Sequence, residues 1–329
     1  MRLVFMGTPE FAATSLEALL KSDNSVVGVV TQPDRPKGRG QVLTPPPVKL
    51  LAQREQIPLL QPLKMKDPEF LRALAGWKPD LIAVAAFGRI LPPAILSLPS
   101  LGCINVHGSL LPKYRGAGPI QWAIINGERE TGITTMLMDE GMDTGAMLLQ
   151  EAIPITPDDS AGTLSPRLAE LGGRLLVETI ARLKAGTLVP RPQDSSQATL
   201  APLLKKEDGA IDWALPATAL ANRVRGLSPW PGTYTTVAGG DRWTIWRALA
   251  LPRPVTKPPG VIVAVTNEAI HIATGEGVLA VMELQPADSR RMAVSQYLAG
   301  HSITVGLQLG GPALSSPPAR SSHNRCVPV

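Results

Sequence analysis

Over its first 188 residues the chain alternates short β-rich apolar runs with stretches of helical period, and that alternation leaves few folds open. Leu3 to Met6, Val26 to Val30, Leu81 to Ala86 and Cys103 to Val106 read as buried strands. Between them, Phe11, Leu16, Leu19 and Leu20 share one helical face, and Phe70, Leu71 and Leu74 share another. Strands separated by helices pair in parallel through right-handed crossovers, which predicts an α/β, doubly wound, mostly parallel, Rossmann-like sheet. A long helical segment from about Thr163 to Leu183 closes this domain, set at residues 1–188. Gly7-Thr8-Pro9 after the first strand lacks the G-x-G-x-x-G pattern, so no dinucleotide site is read there.

The texture then changes. Residues 189–207 carry prolines, serines and the pair Lys205-Lys206 with weak periodicity, and read as a linker. Residues 208–309 hold short runs punctuated by Gly, Pro and Asn: Ile211 to Trp213, Tyr234 to Val237, Trp243 to Trp246, Val261 to Val265, Ile270 to Ala273 and Val278 to Glu283. That spacing predicts a smaller all-β barrel or sandwich. Residues 310–329 have no apolar period and are expected to be a disordered tail. A length of 329 residues suits two cores, and 44% hydrophobic against 18% charged residues excludes a disordered chain.

No apolar run approaches a membrane span, and the first apolar run is too short for a signal-peptide core, so a cytoplasmic protein with no membrane partner is expected. Two cysteines, Cys103 and Cys326, make no disulfide framework and lie at no metal-ligand spacing; no metal is expected. A net charge of +5 permits an anionic partner without requiring one.

Of four histidines only His107 lies in the first 270 residues, so imidazole chemistry in the front domain falls to it. Side chains alternate along a strand, which places Asn105 and His107 on one face and Ile104 and Val106 on the other. At the carboxyl end of a parallel strand such a pair edges the crevice where open α/β sheets bind ligands. An amide donor and an imidazole can both address one developing oxyanion, with a carboxylate to orient the ring or relay a proton. Asp143, between Gly141 and Gly145, is a candidate for that carboxylate, with Asp139 and Glu140 as rivals. A plainer role stays open on pattern alone: Asn105 and His107 capping a strand end, and Asp143 stabilising a turn. Ser109 lies in no G-x-S-x-G elbow, which argues against a hydrolase.

The run INVHGSLLPKYRGAGPIQWAIINGERETG, followed by MDEGMDTG, resembles the active-site signature of the folate-dependent formyltransferases. MGTPEFA, TQPDRPKGRG, AAFGRILP, IDW, RGLSPWPGTY and LQPADSRRM, in order over residues 1 to 309, are similar to the branch of that family acting on methionyl-tRNA. The resemblance implies a formyltransferase-type sheet followed by an OB-like barrel that supports tRNA. It implies formyl transfer from 10-formyltetrahydrofolate to the α-amino group of methionyl initiator tRNA, with Asn105, His107 and Asp143 catalytic. By the same likeness Ser109, Leu110, Leu111 and Pro112 line the folate site, and Phe87, Gly88, Ile90, Leu91 and Pro92 form the pterin pocket. Arg35, Lys37 and Arg39, in a glycine-rich basic loop, together with Lys205 and Lys206, are the implied tRNA contacts, and a monomer is expected.

Gly118 replaces an alanine common in the family, Leu200 stands where tyrosine is frequent, and Ser165-Pro166 puts a proline early in the last helix of the domain. A sister enzyme formylating an amino-sugar nucleotide shares the HGSLLPKYRG run. The GRG loop and the LQPADSRRM ending favour tRNA over that substrate, and the intact trio disfavours a silent tRNA-binding module.

Overall fold

The strands of the front half are apolar on both faces, and a strand of that kind needs cover on both sides. In the computed structural model, which describes residues 1–38, 40–237 and 240–310, helices provide it. The chain runs β1 (Arg2–Gly7), α1 (Glu10–Leu20), β2 (Ser25–Val30), β3 (Arg35–Lys37), β4 (Val42–Thr44), α2 (Pro47–Arg54), β5 (Leu59–Leu60) and α3 (Pro68–Gly76). It continues through β6 (Leu81–Ala85), α4 (Pro93–Leu96), β7 (Cys103–His107), β8 (Arg115–Gly116), α5 (Pro119–Ile125), β9 (Glu130–Leu137), β10 (Met147–Pro154), α6 (Ala161–Lys184) and β11 (Leu200–Ala201). These elements, with residues Arg225–Pro231, make one compact unit.

Its sheet has the order β10-β9-β7-β6-β1-β2-β5. The five strands from β7 to β5 are mutually parallel, and β9 and β10 add an antiparallel edge. Alternate residues feed two cores. Leu3, Phe5, Leu81 and Ile104 pack with Leu16 of α1 and Leu168 and Leu175 of α6. Val4, Met6, Ile82 and Val84 pack with Phe70 and Leu74 of α3 and Ile95 of α4. From β1 the chain builds outward first through β2 and then through β6, so the order reverses between β1 and β6, which is where sheets of this type open a crevice.

The antiparallel edge was not anticipated from sequence. Nor was the β3–β4 pairing (Arg35↔Thr44, Lys37↔Val42) inside the stretch read as a basic loop. The stretch read as a linker is tied to the first unit: Arg191 bridges Met147, and β11 pairs in parallel with β8. Helix α6 starts at Ala161, capped by a reciprocal Ser160–Thr163 pair, so Pro166 sits in its second turn rather than the first, where it withholds the N–H that would bond the carbonyl of Gly162. Gly118, the N-cap of α5, faces Pro202 O and Trp122 Cδ1 at 3.2 Å from a hypothetical Cβ, so an alanine would be crowded there.

Among the described residues the second unit comprises Gly209–Val224 and those from Gly232 to Gly310. It contains α7 (Ala217–Gly226) as far as Val224, β12 (Thr233–Thr236), β13 (Arg242–Leu251), β14 (Ile262–Val265), β15 (Ile270–Ala273), β16 (Val278–Pro286), β17 (Met292–Ala293) and α8 (Val294–Leu298). The strands form an antiparallel sheet ordered β12-β13-β16-β15-β14, with β17 on β16. Trp213, Leu220, Val224 and Trp243 lie in its core. Ile211 to Trp213 is not the strand expected. Asp212 accepts a hydrogen bond from the Ala214 N–H at 3.0 Å and turns the chain, leaving only a bridge from Ala210 to Tyr234. The expected tail lies, beyond Gly310, outside the described residues. Among the described residues no helix is long and apolar enough to cross a membrane.

Candidate active site

Strand β7 sends Ile104 and Val106 into the core beneath α1 and α6, and Cys103 into the opposite core. Asn105 and His107 therefore share the Cys103 face, as the alternation requires. Burial pushes the Cys103 thiol up to about 12, so it stays protonated and inert beneath them. Past the end of the strand lies a cleft of about 550 Å³ walled by Phe87, Gly88, Ile90, Leu91, Met136 and Met138, onto which Asn105, His107 and Asp143 all open.

The His107 ring is almost wholly buried, with 5% of its side chain exposed. Its Nε2 lies 2.9 Å from the carbonyl oxygen of Tyr114. A carbonyl only accepts, so Nε2 carries the proton, and Nδ1 of the neutral ring is bare. That bare nitrogen faces Asp143 Oδ2 at 3.6 Å. Only as imidazolium can the ring donate from Nδ1 as well.

The Tyr114 carbonyl is held there by its own anchors. Tyr114 has φ +64°, its N–H donates to Thr199 Oγ1 at 2.9 Å, and its hydroxyl donates to Glu128 Oε1 at 2.8 Å. Burial pushes the Tyr114 phenol up to about 12, which keeps that hydroxyl a donor. The turn between is fixed from below: Ser109 Oγ donates to Lys113 O at 2.6 Å, and Thr134 Oγ1 donates to Ser109 O at 2.7 Å while accepting the Leu111 N–H at 3.1 Å. Ser109 and Leu111 are buried, and none of Ser109, Leu110, Leu111 and Pro112 opens onto the cleft; neither does Pro92. Phe87, Gly88, Ile90 and Leu91 do. The Phe87 carbonyl accepts from Gln32 Nε2 at 2.8 Å and Thr8 Oγ1 at 3.1 Å, and Gly88 has φ +74°, the left-handed conformation that favours glycine.

Asp143 sits in the connection between β9 and β10 with φ +55°. Its Oδ2 accepts the Gly116 N–H at 2.9 Å. Asp139, a rival in the sequence, closes this loop instead: its Oδ1 accepts from the Gly141 N–H at 3.0 Å and Thr144 Oγ1 at 2.7 Å. Gly145 packs so tightly that a Cβ there would collide with the carbonyl oxygen of Leu137. Asp139 and Glu140 are exposed on the cleft wall, whereas only 16% of the Asp143 side chain is exposed. Gln193, Tyr114 and Thr199 were not candidates in the sequence; Gln193 acts through its side-chain Nε2 on two backbone carbonyls and Tyr114 through its own carbonyl, and no residue pattern encodes a backbone acceptor.

The basic candidates are dispersed. Arg35 is exposed and donates to Gln32 Oε1 at 2.5 Å. Lys37 lies in β3, and Arg39 lies outside the described residues. Lys205 and Lys206 are exposed and line no part of the cleft. Among the described residues no group of three or more His, Cys, Asp or Glu side chains could hold a metal ion.

Residues 1–180 match the formyl transferase family and residues 203–302 match the formyl transferase C-terminal domain. The chain is 52% identical over 308 residues to the methionyl-tRNA formyltransferase of Trichlorobacter lovleyi, covering 94% of this chain and 96% of the relative. It is 52% identical over 303 residues to the methionyl-tRNA formyltransferase of Desulfotalea psychrophila, covering 92% and 94%. Among solved structures, WlaRD, a sugar 3N-formyltransferase crystallised with dTDP and 5-N-formyl-THF, superposes with a TM-score of 0.64 at 16% identity over 88% of this chain and 99% of that one, a likeness of fold.

Proposed function

Since this chain belongs to the formyl transferase family, we propose that it moves the formyl group of 10-formyltetrahydrofolate to the α-amino group of methionyl initiator tRNA. The observation that carries the chemical reading is the His107–Asp143 pair at 3.6 Å, opening with Asn105 onto one cleft. When bound, the folate supplies an electrophilic formyl carbon to the amine, and negative charge develops on the formyl oxygen. Asn105 donates an amide N–H to that charge. His107, its Nε2–H engaged by Tyr114, donates from Nδ1 as imidazolium, so it brings a positive charge as well as a proton. Asp143 holds the imidazolium and takes the proton that the amine must lose, which returns to the folate nitrogen as the carbon–nitrogen bond there breaks. Each oxyanion donor of this kind is worth on the order of a hundred- to a thousandfold in rate.

The residues present suit the folate. Phe87, Ile90, Leu91, Met136 and Met138 give an apolar wall for a flat ring, and Ala86 and Gly88 turn the chain along it with positive φ. Ser109 to Pro112 support the wall from behind, holding the turn that leads to Tyr114. Arg35, Lys205 and Lys206 are exposed and can meet phosphates of the acceptor, and the sequence resemblance adds Lys37 and Arg39 to that set.

An amino-sugar nucleotide is the competing acceptor, and its support is a structure at 16% identity, against relatives at 52% that act on methionyl-tRNA. Incubation with 10-formyltetrahydrofolate and either acceptor separates the two. Formylmethionyl-tRNA formed by the wild type and not by His107→Ala supports the reading; formylation of the sugar nucleotide alone refutes it.

A further inference from the structure

We infer that Gln193 is a positioning residue for formyl transfer, and that the stretch around it is a strap holding the two loops of the active site in register. The inference rests on the reading above and adds a residue outside the trio.

All four hydrogen-bonding valences of the Gln193 amide are used. Nε2 donates to Asp143 O and to Gly145 O, both at 2.8 Å. Oε1 accepts from Arg115 Nε at 3.0 Å and Nη2 at 2.8 Å. The first pair fixes the backbone on either side of Thr144. The second reaches the residue before Gly116, whose N–H holds the Asp143 carboxylate at 2.9 Å. The carboxylate is thus gripped at its backbone by Gln193 and at its oxygen by a loop that Gln193 also anchors.

Neighbouring residues repeat the pattern. Arg191 and Met147 exchange two backbone hydrogen bonds of 2.8 Å on the Asp143 side. Thr199 accepts the Tyr114 N–H through Oγ1 at 2.9 Å and the Arg115 N–H through its carbonyl at 2.8 Å on the His107 side. Residues 191–199 therefore bind both the loop carrying Asp143 and the turn whose carbonyl fixes the His107 tautomer.

Arg115 strengthens the clamp. Arg115 is 7% exposed, and among the described residues it forms no salt bridge, so the charge of a buried residue is directed at a neutral amide oxygen. A charge-assisted bond of this kind polarises the amide and strengthens its donation to the two carbonyls. Asp143 has φ +55°, a conformation a free loop would leave, and the donors of Gln193 oppose that relaxation.

The test compares Gln193→Ala and Gln193→Glu with the wild type. The Glu variant still accepts from Arg115 but has no N–H for Asp143 O and Gly145 O, so it isolates the donor role. Both should lower kcat about 10- to 100-fold, the scale on which a displaced catalytic group loses rate. KM for 10-formyltetrahydrofolate and for methionyl-tRNA should stay within about twofold, and the pH–rate profile should be displaced along the pH axis, because proton transfer through His107 and Asp143 depends on their spacing. Hydrogen exchange over residues 139–147 should accelerate in both variants, a readout independent of the reaction. A lower Tm with kcat, pH profile and loop exchange all unchanged would overturn the inference and leave Gln193 a scaffold residue. A wild type that forms no formylmethionyl-tRNA would refute the proposed acceptor instead, and loop exchange would still decide whether the clamp holds.

Discussion

Replacing Asp143 with asparagine keeps the shape of the site and removes one charge. The amide oxygen of the substituted side chain can still accept the Gly116 N–H, and the Gln193 bonds go to the backbone, so the loop should keep its conformation. The imidazolium of His107 loses a carboxylate whose nearest oxygen is 3.6 Å from Nδ1. At an effective dielectric of about 20, unit charges at that separation attract by roughly 4 to 5 kcal/mol, which is a ceiling. With 16% of the carboxylate side chain open to solvent and its charge spread over two oxygens, about 3 to 4 kcal/mol is a reasonable share, or roughly 10²- to 10³-fold in kcat. Single-turnover formylation at saturating folate and methionyl-tRNA measures this directly. Calorimetric binding of 5-formyltetrahydrofolate should change by less than about threefold, since the apolar wall is untouched. If D143N turns over within about threefold of the wild type, Asp143 is only a turn residue and the charge argument fails.

Two further outcomes follow from other parts of the molecule. Arg35→Ala should raise KM for methionyl-tRNA and lower the salt slope of tRNA binding by about one, with folate KM unchanged; an identical salt slope would return Arg35 to a role in tethering Gln32. Asp159 is partly desolvated by burial, which alone would raise it, but Thr156 donates to it twice and Arg167 Nη1 approaches to 2.8 Å, so its carboxyl lies below the usual range. A depressed folded value stabilises the fold above the ordinary Asp pKa of about 3.9 and loses that stabilisation as pH falls through the folded value. Asp159→Asn should therefore cost on the order of 1 to 3 kcal/mol near pH 7 and progressively less on acidification below about pH 4. A Tm difference equal at pH 7 and pH 3 would contradict that assignment.

The parallel core was legible because its signal is redundant. Leu3, Phe5, Ile82 and Val84 are apolar on both faces, and a helix of matching period follows each strand. The same-face pairing of Asn105 with His107 follows from strand geometry alone, and Ile104 and Val106 lie in the opposite core as that geometry demands. The antiparallel edge was hidden because β10 is half exposed and Met147 to Pro154 alternates weakly. Position between Gly141 and Gly145 favoured Asp143 while leaving Asp139 and Glu140 as rivals; what spacing could not show is that Asp139 turns to Gly141 and Thr144 within its own loop. The strap was invisible for a more general reason. Gln193 works by bonding two backbone carbonyls, and the carbonyl of Tyr114 sets the His107 tautomer; backbone acceptors belong to every residue and leave no mark on composition. Helix α7 was missed because, alanines aside, Leu220 and Val224 give only one i, i+4 pair in a proline- and glycine-punctuated stretch.

The central claim is that the cleft holding Asn105, His107 and Asp143 transfers a formyl group to methionyl-tRNA. The most direct measurement is the rate of formylmethionyl-tRNA formation from 10-formyltetrahydrofolate, run beside the same folate with an amino-sugar nucleotide. The site predicts turnover with methionyl-tRNA, none with the sugar nucleotide, and loss of turnover in His107→Ala with folate binding retained. Turnover with the sugar nucleotide alone, or undiminished turnover in the His107 variant, would contradict it.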